Sequence, residues 1–240
     1  MAISKYLDNN SIDIAKGIVT GVSHIHVLGA VPVMSQSQTG TIWDVNDVKY
    51  PWHVFDSDIT KISYVAADAA DSGDSLTIIG LDTNYDPLQE TVTVTTTPQL
   101  TTNTFKRVFR AFSSADNAGT LTMSKNGIVV ARINAGNAQT LMSVYTIPRG
   151  KTGFLTKVIC TTQTGADGIG NMHERISATG AFRVGHTFEV TGAGGFYEYT
   201  FTIPERMPEK TDIDVRVTAR TNNGRYTSVF DMILLDNGIA

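Results

Sequence analysis

The chain has 240 residues, 41% hydrophobic and 18% charged, enough for one large or two small domains, each with its own core. A net charge of −4, a sequence pI near 5.7 and the lack of any Lys/Arg run argue against a dedicated nucleic-acid binder, which carries a basic face. A single cysteine, Cys160, excludes an intrachain disulfide framework. MAISKYLDNNS lacks the charged-then-apolar pattern of a signal peptide, and no apolar run approaches the roughly 20 residues of a spanning helix. The expectation is a soluble chain made in a cytoplasm, with neither membrane nor nucleic acid as partner. Its low charge fits a surface partly covered by other subunits.

In chain order, residues 1–40 read as an extended arm, because Pro32 and MSQSQTG give little to pack. SIDIAKGIV is the one stretch that can be argued as a helix. HIHVL, TIWDV, ITKISYV, DSLTIIG, ETVTVTT and TFKRVFRAF follow as strand candidates, and the small polar stretch SSADNAG (113–119) marks the best boundary. Beyond it, Asn126-Gly127 between LTMS and IVVARI is a hairpin signal, since a tight primed turn needs positive φ at both central residues. In FRVGHTFEV, Phe182, Val184, Phe188 and Val190 share one face. YEYTFTI sets Tyr197, Tyr199, Phe201 and Ile203 against Glu198, Thr200 and Thr202. IDVRVTAR sets Ile213, Val215, Val217 and Ala219 against Asp214, Arg216, Thr218 and Arg220.

Alternation of period two buries one row of each strand and wets the other, as in antiparallel sheets with one solvated side. One run per roughly 10–12 residues is the spacing of a sandwich or jelly roll. The predicted fold is all-β: an antiparallel β-sandwich/jelly-roll protein of two tandem domains. The arm spans 1–40, a β-sandwich 41–116 and a jelly roll 117–240.

Candidate chemistry is sparse. PRGKT (148–152) ends like a phosphate-binding loop, but such a loop wants a glycine where Tyr145 stands and should launch a helix. Phe154 to Cys160 reads as strand, so a turn between two antiparallel strands is the better reading. Cys160, within that strand-like run, reads as a buried thiol. His24 and His26 point to one face of a strand, a spacing that suits a metal only with further ligands; Ile25 and Val27 face the other way, so the histidines read as a wet row. Asp68, Asp71 and Asp74 recur every third residue, unlike a calcium loop, and read as a solvated connection. No catalytic residue, cofactor or metal ligand is expected. Trp43, Tyr50 and Trp52 cluster in TIWDVNDVKYPW. Exposed, they would form a subunit anchor or a sugar-binding platform; buried, they would cap the first sandwich.

GLDTNYDPLQETVTV, TTNTFKRVFRAF, GNAQTLMSVYTIPRGKTGFLT and PEKTDIDVRVTARTNNGRYTSVFDMILLDN resemble segments of virion structural proteins of tailed bacteriophages, of the kind found in phages of marine and cyanobacterial hosts. The resemblance runs from about His24 to the C-terminus, and no site residue carries over from it. It implies a virion component, and the helix-poor pattern suits a capsid decoration (cement) protein better than a major shell protein. Such a protein would be a homotrimer bound to the major capsid protein and other virion proteins. The alternative is a tail or fibre protein that binds a receptor or glycan.

Overall fold

A computed structural model describes residues 10–56, 60–176, 180–192 and 195–238. Short helices α1 (Asn10–Ala15) and α2 (His53–Asp56) are minor pieces of a β protein. The strands are β1 (Val22–Met34), β2 (Thr39–Thr41), β3 (Lys61–Ala66), β4 (Ser75–Leu81), β5 (Pro87–Thr93), β6 (Gln99–Thr104), β7 (Arg107–Ser113) and β8 (Leu121–Lys125). They continue with β9 (Ile128–Ile133), β10 (Val144–Thr146), β11 (Lys151–Thr162), β12 (Gly168–Arg175), β13 (Arg183–Val190), β14 (Phe196–Met207), β15 (Asp212–Ala219) and β16 (Gly224–Asp236).

One sheet runs β1-β16-β11-β14, and another runs β15-β12-β13 with β2 and β10 end to end along the outer edge of β15. Counting β1, β2 and β11 to β16 as eight strands, the first pairs with the eighth, the second with the seventh, the third with the sixth and eighth, and the fourth with the fifth and seventh. That order is a jelly roll, two Greek keys wound into two facing sheets. Val31, Leu155, Val158, Val215, Val217 and Phe230 fill the space between the sheets.

Everything from residue 42 to 143 is an excursion between β2 and β10. It folds as a second sandwich, sheet β6-β3-β8-β9 against sheet β5-β4-β7, around Ile62, Ile78, Val108, Leu121 and Met123. The excursion leaves and returns at one neck: Ser143 N donates to Ile42 O at 2.9 Å, and Trp43 bridges Met142. Gly29 of β1 lies against this neck, where an added Cβ would come within 2.3 Å of Ile42 O and 2.5 Å of Ser143. Only a glycine lets the backbones approach so closely.

Three sequence expectations need correction. The two β units are nested, not tandem, and β8 and β9, assigned to the second unit, pair within the sheet of the first. The stretch 22–34 is no arm, since β1 runs antiparallel to β16 with Val27 opposite Phe230; residues 1–9 lie outside the described residues. Pro32 falls at the irregularity between Val31 and Met34, on an edge strand where a missing N–H costs no ladder bond. Asn126 (φ 52°) and Gly127 (φ 76°) form the tight β8–β9 turn as expected.

Candidate interaction surface

Trp43, Tyr50 and Trp52 are 1%, 3% and 5% exposed, so the buried alternative is the one the fold adopts. Their polar atoms are satisfied inside: Trp43 Nε1 donates to Val48 O, Tyr50 OH to Val108 O and Trp52 Nε1 to Asp214 Oδ2. No ring face is left for a sugar or a neighbouring subunit.

Beside Trp52 lies a buried charge network that no local motif announces. Arg107 of β7 donates through Nε (2.8 Å) and Nη2 (3.0 Å) to Asp212 of β15 and through Nη2 (3.0 Å) to Asp56. Arg175 of β12 donates through Nη2 to Asp212 (2.6 Å) and through Nη1 to Asp56 (2.7 Å). Both guanidinium groups also lie over the Trp52 ring. Arg107 and Asp56 belong to the inserted sandwich, Arg175 and Asp212 to the jelly roll. Two positive and two negative groups, mutually bonded, therefore staple the two units together. The arrangement is structural, since every group is consumed by another.

The remaining sequence candidates are also spoken for. Residues 148–151 form a turn, Gly150 at φ 74°, but it carries the chain from β10 in one sheet to β11 in the other, so the flanking strands do not pair. Arg149 of this turn forks onto Asp86 at 2.6 and 3.0 Å. His26 Nδ1 lies 2.6 Å and His24 Nε2 3.4 Å from the same Asp231 oxygen, as an exposed row on β1. Among the described residues no three His, Cys, Asp or Glu side chains are grouped to hold a metal ion. Asp68 accepts from Ala70 N. Asp71 departs from the solvated reading: it is buried and accepts from Ala118 N (2.6 Å) and Gly119 N (2.9 Å), tying down the supposed boundary stretch. Cys160 is buried, and burial pushes its thiol pKa well above the usual range.

What stays open is the edge where β13 and β14 end their sheets. Tyr197, Tyr199 and Phe201 share a face, their rings 5.7, 5.0 and 5.9 Å from the His186 ring, and His186 Nε2 lies 2.5 Å from Tyr197 OH. Burial lowers the His186 pKa. Two irregularities then throw apolar side chains outward. In β13 the pairing slips between Met172–His186 and His173–Val184, so Gly185 is a bulge residue and Val184 faces away from the core side, 54% exposed. In β14 the pairing jumps from Lys157–Thr200 to Leu155–Glu205, so residues 201–204 bow out and Ile203 stands 84% exposed. Phe196 (63%) and Tyr199 (43%), on opposite faces of β14, are exposed as well. Alternation had placed Val184 in the same row as Phe182, Phe188 and Val190; the bulge overturns that. At the rim, burial, assisted by nearby Glu174, raises the Glu205 pKa.

On the opposite side of the jelly roll, a cleft of about 690 Å³ separates the β1 edge from β4, β5 and β7 of the inserted sandwich.

No family model matches the chain, and no curated protein matches it. Among solved structures, cowpea mosaic virus top component is similar over 76% of this chain and 85% of that one, at 9% identity and a TM-score of 0.24. The infectious bursal disease virus Gt strain structure is similar over 92% and 74%, at 10% identity and a TM-score of 0.21. The VP2 subviral particle of that virus is similar over 91% and 71%, at 10% identity and a TM-score of 0.21. The jelly-roll assignment above rests on strand order, not on these likenesses.

Proposed function

We propose that the chain is a virion structural protein, specifically a capsid decoration (cement) protein on the outer shell of a tailed bacteriophage. The observation that supports this best is that β13 and β14, the strands ending the two jelly-roll sheets, carry the exposed apolar side chains Val184, Phe196, Tyr199 and Ile203. Such edges invite aggregation in a free protein and are useful where a neighbour covers them. In this reading three copies meet through the β13 and β14 edges as a homotrimer. The trimer then grips the major capsid protein and other virion proteins at several points, so that weak contacts multiply into strong avidity. The resemblance of the sequence to phage virion proteins points the same way.

The receptor- or glycan-binding alternative relied on Trp43 and Trp52, whose burial leaves it without a platform. Electron microscopy of purified particles carrying a labelled chain tests the proposal. Copies on the shell in numbers tied to lattice symmetry support it, and a location confined to the tail rejects it.

A further inference from the structure

The β1 edge carries hydrogen-bonding groups that the fold leaves over. Gly21 O accepts from Asp236 N, and Ala30 N donates away from β16, to Leu141 O at 3.4 Å. Adjacent residues of an antiparallel edge strand alternate between the ladder and the open side. Odd-numbered residues of β1 up to Val31 therefore bond β16, while His24, His26 and Leu28 turn their N–H and C=O groups toward the cleft. Across it stand Ile79, Leu88, Phe109 and Tyr145. The charged or ionisable lining groups are His24, His26, Arg110, Lys151 and the Tyr145 phenol, and among the described residues no carboxylate lines the cleft. Asp231 and Asp236 partner the histidines and Lys151 from behind, and Arg110 Nη2 donates to the neutral Gln139.

We propose that this cleft binds one extended segment of a shell subunit by strand addition to β1, a docking mode that rests on the decoration reading above. Three residues of open edge, at alternate positions over roughly 13 Å of strand, supply main-chain bonds. The segment that fits alternates apolar residues, against Phe109 and Leu88, with polar ones, an acidic one lying against Arg110.

Shells assembled without the protein, incubated with the purified chain, provide the test. Leu28→Pro deletes one open-side N–H that β16 does not use, and Leu28→Val keeps it. Arg110→Glu reverses an exposed charge on the opposite wall without touching β1. Leu28→Pro and Arg110→Glu are each expected to weaken shell binding at least tenfold, while Leu28→Val binds like the parent chain. Hydrogen exchange on the bound parent should show new protection at His24, His26 and Leu28. Binding with these amides unprotected, or undiminished in both variants, overturns the inference and leaves the decoration reading intact. A parent chain that binds no shell overturns both.

Discussion

Two arginine–aspartate forks in this chain have nearly the same geometry and opposite surroundings, which makes Arg107→Met a sharp test. Arg107 and Asp212 are 1% and 0% exposed, whereas Arg149 and Asp86 are 52% and 39% exposed. Asp212 accepts from Arg107 twice, from Arg175 twice and from Thr146 once. Removing Arg107 leaves Asp212 and Asp56 sharing Arg175 alone, a net negative charge held largely away from water. Breaking a buried pair in this way costs about 3–5 kcal/mol, because the remaining charge loses its compensation without regaining solvent. Arg149→Ala should cost about 0–1 kcal/mol, since water screens and replaces the lost partner. In urea, with a slope of about 3 kcal/mol per molar for a chain this long, Arg107→Met should lower the unfolding midpoint by about 1–2 M. Arg149→Ala should barely move it. Because the network joins both units, fluorescence of the buried tryptophans and far-UV circular dichroism should report the loss together. Similar small shifts for the two variants would refute the claim that burial decides the strength of these forks.

Asp44 is buried, accepting from Leu141 N at 2.5 Å, and desolvation pushes its pKa up to about 7. The folded chain thus holds a proton that the unfolded chain releases near pH 4, so this contribution is full below about pH 4 and lost as pH rises through about 7. Asp44→Asn should gain stability relative to the parent across that window, measured by denaturation at several pH values; a constant difference would contradict the assignment. Native Cys160 should resist a thiol reagent that modifies it readily in denaturant. Gly29→Ala should lower the melting temperature, read by calorimetry, because its methyl group meets Ile42 O and Ser143. Under the proposed trimer, Ile203→Asp should elute as a monomer on size-exclusion chromatography with an unchanged far-UV circular dichroism spectrum.

Local pattern made the strands legible and left their partners hidden. Period two identified β13 to β15 and the Asn126-Gly127 turn, because alternation and turn chemistry are written in neighbouring residues. It could not pair β1 with β16, whose contacts such as Val27–Phe230 span most of the chain. Pro32 was misleading for the same reason: whether a proline breaks a strand depends on which edge it faces. The Gly185 and 201–204 irregularities turned Val184 and Ile203 outward against the alternation. Arg107, Arg175, Asp56 and Asp212 are scattered along the sequence and meet only in the fold, so nothing near any one of them signals the network. The aromatic cluster was found, but its burial depended on acceptors at Val108 and Asp214 that lie far away in sequence.

With Ile42 and Ser143 hydrogen-bonded to each other, the host jelly roll experiences a hundred-residue detour as though it were a tight link. Lengthening a closed loop costs only about 0.6 kcal/mol per doubling, so the detour taxes its host little. Cutting there and rejoining the ends with a few residues should keep the host strand order while leaving Arg175 and Asp212 without Asp56 and Arg107. A different module at the same junction would have to supply its own partners for Arg175 and Asp212.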